Sequence, residues 1–316
     1  MDKDKVTVGE FLDVWLRVVI KNNSRDSTYV SYKGYVKNHI KRHIGSVLLK
    51  DLKPIAVQEF VSELVSGGKL SARTVGIIIN MLKQALGYAQ QYELIRANPC
   101  LKIRLPKIQE KGVRAFSATQ QAQIEKAVLK SNDNRSFGIL LVLYTGIRIG
   151  ELCALRWDKI DFYNNTMKIT RSLKRVSRDN STSKTTIIEC EPKTKKSRRT
   201  ICLPDFLRDM LKKLKSESNS DFVISMKSGK FVDTRTMQML YKKLLESAGV
   251  EYSNFHTLRH TFATRAAELN TDPKTVSETL GHSSVAITLN LYTHSLKEQK
   301  QKMMRELDNY FKQKKD

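Results

Sequence analysis

Apolar residues recur every three to four positions through most of the first hundred residues, the period of a helix that buries one face. Behind Thr7, a side chain suited to an N-cap, come Phe11, Leu12, Trp15, Leu16, Val18 and Val19, which predict a helix over 7–21. A second follows Ser27 and Thr28, with Tyr29, Tyr32, Tyr35, Val36 and Ile40 on its apolar side. Pro54 opens a third, carrying Val57, Phe60, Val61 and Leu64 and stopping at Gly67–Gly68. Ser71 starts a fourth through Val75, Ile78, Ile79, Leu82, Leu86 and Ala89, closed by Asn98–Pro99. Four helices on short turns predict a small all-α domain over 1–106. The polar stretch from Leu105 to Gly112 loses the period, so 107–112 reads as a linker.

The remaining chain, 113–316, changes pattern. Helical periods over 117–130 and 135–144 give way to short β-like runs at 166–172, 185–190 and 199–203, with 222–225 as a fourth candidate. Between the first two runs lies 173–184, basic and long for a hairpin connection. Helical periods resume at 233–247, 256–269, 273–280 and 284–291. The last segment, 296–313, has Leu296, Met303, Met304, Leu307, Tyr310 and Phe311 on one side. The expected fold is mainly α: a helical N-terminal domain followed by a mixed α+β domain with a small antiparallel sheet.

Charge narrows the function. Among 316 residues, 56 are Lys or Arg and 32 are Asp or Glu, a net charge of +24. The excess is not one basic tail: residues 1–107 carry +9 and the rest +15. Two basic halves point to a polyanion, nucleic acid before a membrane surface, and exclude an acidic-ligand scaffold. Cys100, Cys153, Cys190 and Cys202 show no C-x-x-C spacing, so neither a zinc ribbon nor a disulfide framework is signalled. A reducing, cytoplasmic setting fits them, and no apolar run reaches the roughly 18 residues that would span a bilayer.

Four short motifs carry the chemistry. In Tyr144-Thr145-Gly146-Ile147-Arg148-Ile149-Gly150-Glu151-Leu152, two glycines set Arg148 at a tight turn entering a helix. There it is either a surface partner of Glu151 at i+3 or an oxyanion ligand. In His256-Thr257-Leu258-Arg259-His260, positions 256, 259 and 260 share one helical face. A zinc pair is disfavoured, since Thr257 stands where a zincin has its Glu and Arg259 would repel the cation; His260 reads as a core or supporting histidine. In Leu280-Gly281-His282, Gly281 suits a helix C-cap that would fix His282 just beyond the helix end. Tyr292, in Leu291-Tyr292-Thr293-His294, is by itself as readily a half-buried packing residue as a nucleophile.

Taken in order, T-G-I-R-I-G-E-L at 145–152, H-T-L-R-H at 256–260, L-G-H at 280–282 and L-Y-T-H at 291–294 resemble the boxes of the tyrosine site-specific recombinase (phage integrase) family. The resemblance covers nearly the whole chain. It implies a SAM-like core-binding domain over the N-terminal half and a catalytic domain over 113–316. It also implies a lysine on a hairpin between the first Arg and the His-x-x-Arg helix. Lys193 best matches the family's K-T pattern, Lys195 and Lys196 are alternatives, and the other charges of 191–200 read as a solvated basic turn.

On this resemblance the catalytic set is Arg148, Lys193, His256, Arg259, His282 and Tyr292. Arg148 and Arg259 would bind nonbridging phosphate oxygens, His282 and His256 would steady them, and His256 would also serve as general acid/base. Tyr292 would attack to leave a 3′-phosphotyrosine, and Lys193 would protonate the departing 5′-oxygen. Glu151 would orient Arg148 or a neighbour, with no metal, nucleotide or other cofactor required. The implied partners are double-stranded DNA attachment sites and a homo-tetramer formed on DNA by exchange of the 296–313 helix; an accessory DNA-bending protein stays open. The setting would be cytoplasmic and nucleoid-associated, and the first-choice role integration and excision of a mobile genetic element. The chain leaves no room ahead of Val8 for the arm-binding domain of many integrases, so it reads as a simple recombinase or an excised fragment. Two rivals remain. A helix-turn-helix regulator fits 271–291, where Asp272-Pro273 opens a helix and Gly281 makes the turn, but has no reason to retain the full residue set. A type IB topoisomerase uses similar residues, but the separate helical N-terminal domain and the T-G-x-R and L-G-H boxes favour the recombinase.

Overall fold

The computed structural model describes residues 3–108, 115–177, 185–191, 198–292, 303–305, 307–308 and 310–311. Two compact units emerge, one of 1–111 with 176–186 and the other of 112–175 with 187–316. Residues 109–112 of the expected linker lie outside the described residues.

Over residues 3–108 the first unit is built of helices. Helix α1 (Val8–Trp15) starts on a reciprocal cap: the Glu10 amide donates to Thr7 Oγ1, and the Thr7 amide to the Glu10 carboxylate. It runs on through a π-helical turn, Leu16–Ile20, and α2 (Asp26–Tyr35) does the same through Val36–Ile40. The wider turns keep Leu16 with Ile20, and Val36 with Ile40, in the core, while Val18 is left 53% exposed. Trp15 stacks on Tyr32. Helix α3 (Pro54–Ser66) takes Pro54 at its first turn, and α4 (Ala72–Gln91) is capped by Ser71. Together these bury Phe11, Leu12, Phe60, Ile78, Leu82 and Leu86 in one core.

The second unit is built around α6 (Phe137–Thr145), apolar on every side and buried from Phe137 to Leu143. Around it lie α5 (Ala118–Lys130), α7 (Ile149–Cys153), α8 (Asp205–Ser216), α9 (Thr234–Ser247) and α10 (His256–Glu268). Then α11 (Pro273–Leu280) seats Val276 and Leu280 against Ala263 and Ala267 of α10, and α12 (Val285–Tyr292) follows. A small antiparallel sheet is ordered β1 (Ile160–Asp161), β2 (Thr166–Ile169), β5 (Arg199–Cys202), with Met167 opposite both Ile160 and Ile201. Met167, Ile169 and Ile201 face inward, giving the period-two burial of a one-sided sheet.

Three expectations change. The connection expected over 173–184 is strand for part of its length: β3 (Ser172–Ser177) pairs with β4 (Thr185–Cys190) in a separate two-stranded sheet, and 178–184 lies outside the described residues. Its charges mask the strand because a half-exposed ribbon needs no apolar alternation. The run at 222–225 makes only single bridges, Arg156 to Phe222 and Ser225 to Phe231. Helix α8 had no forecast, since only Leu207 and Leu211 are buried in it. Among the described residues no helix is long and apolar enough to cross a membrane.

Candidate active site

Two left-handed glycines end the helices that frame the site. Gly146 (φ 65°) closes α6, and a Cβ there would sit 2.4 Å from Leu280 Cδ2 and 2.7 Å from Phe262 Cδ1, so only glycine fits. Gly281 (φ 65°) closes α11, and the His282 amide reaches back to the Ser277 carbonyl at 3.0 Å. This Schellman-type closure fixes His282 just past the helix end.

The last carbonyls of a helix have no partner within it and carry the negative end of its dipole. Here three successive ones each receive an arginine. Thr279 O accepts from Arg199 Nε at 2.5 Å, Leu280 O from Arg259 Nη2 at 2.8 Å, and Gly281 O from Arg148 Nη2 at 2.9 Å. Arg259 also donates to Gly146 O at 2.6 Å and so joins both helix ends. It is 1% exposed. Burial first, then the like charges of Arg148 and Arg199, press its pKa down to about 9, so it stays charged at neutral pH.

Glu151 gathers two of these arginines. Its side chain, 4% exposed, accepts from the Arg148 amide and Arg148 Nη1, each at 2.9 Å. Arg199 Nη1 and Nη2 reach it at 3.1 and 2.9 Å. Burial pushes the Glu151 carboxyl upward, but the hydrogen bond and charge of Arg199, with those of Arg148, outweigh it and hold the group below its ordinary value.

Three imidazoles complete the cluster. His256 and His260 lie one turn apart on α10 with rings edge to face, centroids 4.5 Å apart. His282 Nδ1 meets Thr288 Oγ1 at 2.8 Å, and Thr288 is wholly buried on α12. Partial burial, then His260, Arg259 and Arg148, lower His256 to about 4. Partial burial, then Arg259 and Arg148, lower His282 to about 4. His260 is lowered too, by burial and then Arg259. All three are therefore neutral at pH 7.

A pH effect on stability follows. Unfolded histidines take up protons near pH 6.5, whereas His256 and His282 in the fold do so only near 4. The unfolded state binds more protons in that window, so stability falls as pH drops through it. The melting temperature, read by circular dichroism, is expected to decline from pH 6.5 to 4, less steeply in His282→Asn. An equal slope in the variant would contradict the assigned pKa.

Of the residues singled out in the sequence, Arg148, Glu151, His256, Arg259 and His282 come together here. Lys193, Lys195 and Lys196 lie outside the described residues. Tyr292 ends α12, one turn beyond Thr288. Sequence reading missed Arg199, placed in a solvated turn but with a side chain only 6% exposed. It also gave no role to Thr288, whose one signal was its place between L-G-H and Tyr292.

Comparison with known proteins identifies the family and the fold. Residues 108–299 match the phage integrase family and residues 7–65 its N-terminal SAM-like domain. A protein named tyrosine recombinase XerC-like from Caldanaerobacter subterraneus subsp. tengcongensis is 34% identical, covering 98% of this chain and 85% of its own. The integrase of Staphylococcus phage L54a is 25% identical over 96% of this chain and 92% of its own. The Tn1549 transposon integrase, solved with transposon right end DNA, superposes with TM-score 0.82 at 21% identity, over 96% of this chain and 100% of that one. A lambda integrase tetramer bound to a Holliday junction gives 0.69 at 20% identity, over 90% and 79%.

Proposed function

The chain belongs to the phage integrase family and is a tyrosine recombinase, a site-specific enzyme that breaks and rejoins DNA; on that premise we propose how its own residues do so. The observation that carries the reading is the pair of guanidiniums, Arg148 and Arg259, held on the neighbouring carbonyls Gly281 O and Leu280 O directly beside His282. A scissile phosphate entering there meets two fixed cations aimed at its nonbridging oxygens, which gain charge in the transition state. Since burial and mutual repulsion already depress Arg259, an incoming anion relieves that repulsion.

In the proposed reaction the Tyr292 phenol attacks phosphorus, forming an O–P bond as the bond to the 5′-oxygen breaks. Neutral His256 accepts the phenolic proton, a role open to an imidazole unprotonated at pH 7. His282, its Nδ1 held by Thr288, turns its other ring nitrogen to the phosphate. Lys193 delivers a proton to the departing 5′-oxygen. The 3′-phosphotyrosine keeps the bond energy, and attack by a 5′-hydroxyl of another strand reverses the step and rejoins DNA. No metal or other cofactor is invoked, and the role fits integration and excision of a mobile element.

The working assembly is proposed to be a tetramer on DNA. Met303, Met304, Leu307, Tyr310 and Phe311 are between 41% and 61% exposed, an apolar set suited to a neighbouring protomer.

The test is covalent capture. Full-length protein is mixed, in EDTA, with a radiolabelled pool of nicked duplexes of randomised sequence and quenched in detergent. A DNA–protein band in a denaturing gel, with the adduct on the Tyr292 peptide by mass spectrometry, is expected. An adduct on another residue, or no band from any duplex, would overturn the reading.

A further inference from the structure

Arg199 stands apart from the basic run that contains it. It opens β5, paired with Ile169 of β2, so its backbone is fixed by the sheet. Its side chain leaves the sheet to span two places far away in sequence, the Glu151 carboxylate and the Thr279 carbonyl. A Cβ on Gly281 would come within 3.2 Å of Arg199 Cδ and Nη1, so the guanidinium lies flat against the glycine turn that precedes His282. With 6% of its side chain exposed, Arg199 is poorly placed to touch DNA. Arg148, whose side chain is 38% exposed, shares Glu151 with it.

We propose that Arg199 is a positioning residue: by bridging Glu151 and the end of α11 it locks the two guanidiniums, Arg148 and Arg259, in the pose that receives the scissile phosphate. This rests on the functional reading above and deepens it. The physical case is one of shared anchors. Glu151 alone could swing about its side-chain torsions and take Arg148 with it, but a two-pronged, buried Arg–carboxylate pair leaves it one orientation. The same guanidinium pins Thr279 O, so the carbonyls of Leu280 and Gly281, which hold Arg259 and Arg148, keep their direction. The planar fork is needed for this; a lysine ammonium keeps the charge but cannot bridge both anchors in one plane.

The probe is the duplex that the wild-type protein captures best from the randomised pool, made with either an ordinary scissile phosphate or a methylphosphonate. The methyl group replaces one nonbridging oxygen and removes its charge, so less is asked of the arginine pair. Single-turnover capture at saturating protein, half-saturation by gel shift and melting temperature are measured for Arg199→Gln, Arg199→Lys, Glu151→Gln and the Arg199→Gln/Glu151→Gln double variant.

Arg199→Gln is expected to slow capture about 100-fold, the scale of a small misplacement of reacting groups, with half-saturation unchanged. The double variant should be no slower than the slower single, because both act through one linkage. On the methylphosphonate the deficit should shrink to about tenfold or less. Arg199→Lys should stay slow, and it carries the test if the glutamine variant does not fold. A merely structural role would slow both substrates equally, in step with lost melting temperature. Equal deficits, multiplying effects with Glu151→Gln, or full activity in Arg199→Lys would each overturn the role of Arg199. Absence of wild-type capture would instead overturn the functional reading and this inference with it.

Discussion

Tyr292→Phe is expected to bind DNA as the parent does and to capture none of it covalently. The change removes one oxygen and keeps the ring, so the arginine-lined site and the bond from His282 to Thr288 stay in place. Phosphate contacts set most of the affinity, and these are made by other residues. Two tyrosines within the second unit, Tyr144 and Tyr241, are poor substitutes. The Tyr144 hydroxyl donates to Glu125 at 2.6 Å, and burial first, then Glu125, pushes it up to about 12, which disfavours the phenolate. Tyr241 is 1% exposed and packed edge-on against Phe255. A denaturing gel of the captured duplex reads the outcome. A band persisting at parental strength would mean that another residue attacks.

Which features were legible in the sequence follows from the range of the forces that make them. The helices of the first unit could be read because burial of one face repeats locally: Val57, Phe60, Val61 and Leu64 all reach the core. Caps were equally local, Thr7 and Ser71 each bonding an amide three residues on. Gly281 was readable as a cap because a left-handed turn after a helix selects glycine. The π-helical turns left no mark, since Leu16 and Ile20 fit an ordinary helical period too. Arg199 was illegible for the opposite reason. Its partners lie 48 and 80 residues away, and nothing within the run of 191–200 distinguishes a buried arginine from its solvated neighbours. Charge burial is decided by distant counter-charges and orphan carbonyls, whereas hydrophobic periodicity is decided within one element.

Arg148→Gln and Arg259→Gln should both cripple capture, by about 100- to 1,000-fold, the usual loss when one preorganised group is taken from a developing oxyanion. Their effects on stability should part. Arg259 bonds Gly146 O and Leu280 O in a place that is 1% exposed. A glutamine, shorter by two bonds and without the fork, leaves at least one of those carbonyls buried and unpaired, at a cost of about 1–3 kcal/mol. Removing a positive charge crowded by Arg148 and Arg199 offsets part of that cost, because Arg259 has a depressed pKa in the fold. The net expectation is a lower melting temperature for Arg259→Gln. At Arg148 the side chain is 38% exposed, water can take over at Gly281 O, and Glu151 keeps Arg199, so melting should barely move. Capture rates with thermal melts on both variants decide it. Parental capture in either variant would remove that arginine from the phosphate site. Equal melting losses would mean that the end of α11 depends on both arginines alike.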